Sequence, residues 1–275
     1  IFGDIRIMPR AAWVLGRGQF INRLGSFVYP FLALFMIGRG MRLGEISAVL
    51  GSMALGQLGA PFAGGYLADA IGRRNTIVIA LVGGALSLLG LYACAHPLTL
   101  CGMAAAHGFF AFMFGPAANA LLSDLVTPRQ RVTAYALLRL AVNAGFASGP
   151  AIAGLLFGVA PILIFLGDAA TTLVFAVLAL LFLPHGLRPL GGNVTSPWVI
   201  ARSWREAGRD AWHNGPFVQL YLGTLLMAVA FVQVFNVLAL HAAARGLDTV
   251  AYGLAMGFNG LLIMGIELPL AHATR

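Results

Sequence analysis

Eight runs of about 20 apolar residues, set apart by glycine, proline and arginine, constrain this 275-residue chain more than any other feature. They lie near residues 18–38, 46–68, 75–95, 98–123, 132–157, 160–183, 216–240 and 250–270. Each is long enough to cross the hydrocarbon layer as a helix, where every backbone N–H and C=O finds its partner inside the segment. None shows the period-two alternation of a membrane barrel, and barrel strands are about half this length. The chain therefore reads as an all-α membrane protein, a bundle of spanning helices. Composition agrees: 60% of the residues are hydrophobic and 9% charged, against about 25% charged in water-soluble domains, too few to cover a solvated surface.

The charges set the orientation. All 17 basic residues are Arg, facing nine acids. In a soluble protein that excess would suggest nucleic acid. Here the arginines stand in ones and twos at the ends of apolar runs, the positive-inside pattern, so the partner is the lipid bilayer and no nucleic acid. One set of connections carries eleven: Arg6, Arg10, Arg73, Arg74, Arg129, Arg131, Arg188, Arg202, Arg205, Arg209 and Arg275. The other carries three: Arg39, Arg42 and Arg245. The amino end and the central connection are therefore expected in the cytoplasm, with the protein in a plasma (inner) membrane. The opening segment lacks the pattern of a removable signal peptide.

Residues 184–215 form the only long polar stretch and divide six spans (1–183) from two (216–275). The stretch opens rich in Pro and Gly, then alternates apolar and charged residues from Trp198 to Trp212, which predicts an amphipathic helix at the membrane surface. Asn193-Val194-Thr195 matches the glycosylation pattern, but on a cytoplasmic loop it is a chance match. A shift of 203 residues lays Arg42 on Arg245, Met53 on Met256 and Leu67-Ala68 on Leu270-Ala271, a weak repeat of the kind two homologous transporter halves show.

Between the second and third spans stands Gly64-Gly65-Tyr66-Leu67-Ala68-Asp69-Ala70-Ile71-Gly72-Arg73-Arg74. Gly65 would let helices approach closely, Asp69 sets an anion at the membrane edge, Gly72 permits a tight turn, and Arg73 and Arg74 anchor the turn at the cytoplasmic face. The stretch resembles the signature loop of the major facilitator superfamily, Gly-x-Leu-Ala-Asp-x-x-Gly-Arg-Arg, with Ala70 where the family often has a basic residue. The resemblance implies a monomeric secondary transporter that moves a small molecule by alternating access. It also implies a bundle of two six-helix halves, of which this chain supplies the N-terminal half and about two helices of the C-terminal one. Gly65, Asp69, Gly72, Arg73 and Arg74 would form a cytoplasmic conformational latch.

Two further stretches resemble the same family. Asp124, Pro128 and Arg131 fall in a turn similar to the Pro-x-x-Arg connection of its fourth and fifth helices; Pro128 ends one helix and starts the next, and Asp124 and Arg131 could pair across it. In the fifth span, Gly145, Gly149, Pro150 and Gly154 resemble the motif of its proton antiporters, with Ala153 in place of one glycine. That resemblance implies efflux with protons as the coupling ion. Read from the residues alone, the stripe is ordinary small-residue packing.

Polar residues inside spans are costly and need a reason. Asn22 and Arg23 lie on the first span, Arg139 and Asn143 one turn apart on the fifth, Asp168 on the sixth and Glu267 near the end of the eighth. Two readings stand for the arginines: they line a water-filled cavity with Asn22 and Asn143, or they snorkel to the interface. Asp168 is either a proton carrier or a hydrogen-bonded structural group, and His107 at similar depth could relay to it. Asn236, Asn259, Tyr221, Gln233 and Phe235 are weaker cavity candidates. Cys94 and Cys101 flank the connection at His96-Pro97 and read as buried thiols, with a disulfide across it as the alternative, and with the six His dispersed and no Cys-x-x-Cys there is no metal or cofactor site. The chain has no Lys, hence no phosphate-binding Gly-Lys loop, and no catalytic constellation, so it reads as no enzyme. A transporter-like membrane sensor and an uptake symporter are the alternative functions.

Overall fold

The computed structural model describes residues 8–186, 202, 206 and 208–273, which form an all-α bundle with no strand among them. The first span consists of α1 (Arg10–Leu24) and α2 (Val28–Gly38). The second to sixth are α3 (Leu43–Ala70), α4 (Arg73–Ala93), α5 (Pro97–Leu125), α6 (Arg131–Val159) and α7 (Ile162–Phe182). The seventh is α8 (Gly215–Asn236) with α9 (Leu238–Ala244), and the eighth is α10 (Thr249–Ala273). Six segments are long and apolar enough to cross a membrane, and the described apolar parts of α8 and α10 are shorter, Gly215–Phe231 and Thr249–Ile263. The molecule is a multi-pass integral membrane protein.

Two spans depart from the pattern expected of them. The first starts at Arg10, well before residue 18, and breaks at Gly25-Ser26-Phe27. Hydropathy registers only total apolar length, whereas the break depends on a donor and an acceptor from elsewhere: the first N–H of α2, on Val28, is received by the Asp168 carboxylate of α7 at 3.2 Å. The seventh span bends at Val237, where α8 passes into α9. Of the surface helix expected over Trp198–Trp212, residues 208–213 are helical and Arg202 pairs with Glu206 at 3.1 Å. The rest of that segment, and Asn193-Val194-Thr195, lie outside the described residues.

Without water to drive helices together, close backbone approach holds such a bundle. A Cβ on Gly56 would lie 2.0 Å from the Ala105 carbonyl oxygen and one on Gly108 2.1 Å from that of Met53, so α3 and α5 touch main chain to main chain. The approach expected at Gly65 is made one residue earlier. Gly64 lies against the Met113 carbonyl, while a Cβ on Gly65 would meet open space. Two apolar cores result, one around Phe31, Phe35 and Phe165 toward the Arg39 end, the other around Leu15, Ile77, Leu121 and Phe175 toward the Arg73 end.

At the Arg39 end one side chain ties the first span to the third. The Arg39 guanidinium donates to the carbonyls of Tyr92 (2.6 Å) and Cys94 (2.7 Å) and stacks 4.4 Å from the Phe35 ring centroid. It thereby satisfies carbonyls that the last turn of α4 leaves without partners. Arg39→Ala is expected to lower stability by about 1–2 kcal/mol, and Arg39→Lys, which lacks the planar fork, to recover only part. Thermal unfolding in detergent reads both.

Candidate functional site

The signature loop is a three-way junction. Gly72 caps the N-terminus of α4 at φ +94°, a conformation disfavoured for residues with a Cβ. A Cβ there would also lie 3.1 Å from the His185 carbonyl oxygen. The chain leaving α7 docks on this turn: the Arg74 N–H donates to the His185 carbonyl at 3.4 Å, its guanidinium to the His185 ring. Gly186 packs against the Arg73 side chain. Arg73 itself reaches across to α5, where it donates to the Ala120 carbonyl at 2.6 Å and forms an ion pair with Asp124. Its side chain is 16% exposed and that of Asp124 21%.

This arrangement revises two expectations. Asp124 pairs with Arg73 and not with Arg131, which begins α6 exposed. Asp69 is exposed and makes no hydrogen bond or ion pair among the described residues, so Arg73 and Asp124 are the paired charges at this end. Sequence reasoning missed that pair because 51 positions separate its members. The available signal was that the fourth span ends in a single acid at the same face as the Arg73-Arg74 turn. The connection from α5 to α6 holds its own shape: Pro128 opens a short 3-10 turn, and the Thr127 N–H and hydroxyl both meet the Gln130 side-chain oxygen at 3.1 Å.

The intramembrane polar residues converge on the break in the first span. The Asn22 amide donates to the Thr172 hydroxyl at 2.8 Å, and Asp168 holds Val28. The Arg23 guanidinium lies 5.4 Å from the Phe146 ring centroid and within electrostatic reach of Asp168. Arg23 is thus held among α1, α6 and α7, with its Nε buried and unpartnered; one turn earlier the Gln19 side-chain oxygen is buried in the same condition. Arg139 is exposed and Asn143 half-buried on α6. His107 takes no part: its Nδ1 lies 3.1 Å from the Gly84 carbonyl oxygen, tying α5 to α4, so the relay to Asp168 is not formed.

The glycines of the fifth span serve two partners. A Cβ on Gly145 would lie 2.6 Å from that of Arg23, and one on Gly149 2.8 Å from the Leu24 carbonyl oxygen, so the inner part of α6 receives the end of α1. Further along, Gly154 lies against the Thr249 carbonyl (2.4 Å to a built Cβ) and Gly253 against that of Pro150 (2.3 Å). There α6 and α10 close on one another near the end opposite the arginine-rich loops. Among the described residues no group of three or more His, Cys, Asp or Glu is placed to hold a metal ion, and Cys94 and Cys101 are free thiols.

The sequence matches the Major Facilitator Superfamily over residues 16–273. It is 26% identical over 272 residues to an uncharacterized MFS-type transporter, YqjV, of Bacillus subtilis, covering 95% of this chain and 64% of that protein. It is also 26% identical over 149 residues to the quinolone resistance protein NorA of Staphylococcus aureus, covering 54% of this chain and 38% of NorA. The fold is similar to that of a bacterial homolog of the human lysosomal transporter Spinster in an inward-facing, unoccupied conformation (TM-score 0.65, 17% identity, 90% of this chain, 57% of that one). It is likewise similar to a peptide transporter, POT, in complex with sulfate (TM-score 0.67, 14% identity, 96% of this chain, 68% of that one). The chain thus spans just under two thirds of the YqjV relative.

Proposed function

Because the chain belongs to the Major Facilitator Superfamily, we propose that it carries the first six-helix half (1–183), the cytoplasmic linker (184–215) and the start of the second half (216–275) of a secondary transporter. That transporter exports a small molecule across an inner membrane in exchange for protons, by alternating access. The observation that supports this best is the backbone contact of α6 with α10, one helix from each half, made through glycines from the middle of α6, where Gly257 and Gly260 meet Ala147, to the end opposite the arginine-rich loops. Rocking of the halves requires such a contact to form and part as a unit. With the arginine-rich loops read as cytoplasmic by the positive-inside pattern, closure at α6 and α10 leaves access from inside. Export by proton exchange draws on the glycine and proline pattern of α6 and on the similarity to NorA, whose name records resistance to quinolones.

In this reading Asn22, Arg23, Arg139 and Asn143 supply polar groups along the path, and Asp168 is the proton-carrying carboxyl. It is the acid at the break of the first span, where protonation would release both the Val28 N–H and the charge of Arg23. The test uses inverted membrane vesicles from cells expressing the gene product that contains these residues, energised to an acid interior reported by acridine orange. Addition of a quinolone or of ethidium is expected to dissipate the gradient, and Asp168→Asn to cut that response more than tenfold. A panel of lipophilic cations, acids and neutral drugs that leaves the gradient untouched would count against proton antiport.

A further inference from the structure

Arg23, Arg39 and Arg73 each find their counterparts inside the fold. Arg17 does not. It is exposed on α1, makes no hydrogen bond or ion pair among the described residues, and lines a cavity of about 240 Å³ between α1 and α6. It lies seven residues along from Arg10, about 10 Å deeper along the helix axis. The walls are otherwise apolar: Trp13, Arg17 and Phe20 share one face of α1, and Leu137, Ala141 and Ala144 line the α6 side. No acidic residue is among the lining groups.

From this we infer that the groove between α1 and α6 binds a lipophilic organic anion, a flat bicyclic ring or short alkyl body with one acidic group received by Arg17. Pockets for small molecules are mostly apolar, with a few polar groups that fix orientation, and here the one charged group has no counter-charge among the lining residues. Trp13 and Phe20 stand one turn to either side of Arg17 and are 38% and 36% exposed. A body laid along the helix therefore meets a ring on each side of the guanidinium. A cavity of this volume admits a two-ring acid or the upper part of an acyl chain. The acid has two sources, a small molecule from the cytoplasm or a lipid of the inner leaflet. That the occupant is cargo rests on the transport reading above; that it binds does not.

The test is an equilibrium titration. Trp198, Trp204 and Trp212 are changed to Phe, leaving Trp13 as the only tryptophan of four, and the protein is placed in phosphatidylcholine nanodiscs. The probe, 7-methoxycoumarin-3-carboxylate, absorbs where tryptophan emits. Saturable quenching of Trp13 is expected, at least tenfold tighter for the acid than for its ethyl ester. Arg17→Gln should bring the acid down to the affinity of the ester, and Arg17→Lys should stay within about threefold of the parent. Nanodiscs containing phosphatidylglycerol separate the sources: a matching loss of acid affinity that vanishes in Arg17→Gln marks a leaflet lipid as the occupant, and no loss marks the soluble acid. Equal affinities for acid and ester, or an Arg17→Gln variant that keeps the preference, would overturn the site. Vesicles without proton-coupled flux leave this binding result standing, so the two readings fail separately.

Discussion

Arg73→Ala is expected to cost about 1–3 kcal/mol of stability and, on the transport reading proposed above, to remove most transport activity. Two losses combine. The Asp124 carboxylate, partly shielded at the end of α5, is left without its cation, and the Ala120 carbonyl loses its donor. Breaking a partly shielded ion pair by deleting one partner is costly to the extent that the survivor stays desolvated. Asp124→Asn, which deletes the charge but keeps an oxygen, should cost less, and the double variant Arg73→Ala/Asp124→Ala less than the sum of its single members. Asp69→Asn is the internal contrast: exposed and without a partner, it should leave stability within about 0.5 kcal/mol, so any loss of transport there acts on the conformational equilibrium. Thermal unfolding followed by a thiol-reactive dye is suitable, since Cys94 and Cys101 are free and partly shielded. An Arg73→Ala protein that melts with the parent would show that the pair holds nothing.

The sequence carried the architecture well and the pairings poorly, for one physical reason. Apolar length and arginine placement are summed over many residues, so the all-helical membrane bundle and the division into six spans and two were legible at once. A pairing depends on a single distant group. Nothing local in Gly25-Ser26-Phe27 announces that Asp168, 140 positions beyond Val28, will receive its N–H. The same holds for Arg73, whose nearest acid in sequence, Asp69, is not its partner. The glycines show the limit from the other side. Their abundance signalled close packing, but only the helix crossing decides that Gly64 touches Met113 while Gly65 faces open space. Gly72 was readable because its requirement is local, a turn at positive φ. The groove at Arg17 was not, because an unpaired arginine is recognised only once the partners of the others are known.

The second large effect is expected where α6 meets α10. Gly154→Val should shift the population away from closure at that end by tenfold or more. The added Cβ would sit 2.4 Å from the Thr249 carbonyl oxygen, a main-chain atom with no rotamer to escape into, so the helices themselves must separate. Forcing extra carbon into a packed contact costs about 1–3 kcal/mol, and about 1.4 kcal/mol is a factor of ten in an equilibrium. The strain falls only on the conformation in which α6 and α10 touch, so it moves the equilibrium without loading the parted state. Gly158, one turn on, supplies the control: a Cβ there meets the Thr249 hydroxyl at 3.6 Å, an ordinary contact with a side chain that can turn, so Gly158→Val should shift the population far less. A cysteine at Ala151, which lies against Gly253 and Gly257, reports the state in a background with Cys94 and Cys101 changed to Ser. In right-side-out vesicles a membrane-impermeant maleimide should modify it at least tenfold faster with Gly154→Val than with Gly158→Val. Equal rates would mean that the contact is packing alone, and the halves would then need another place to part.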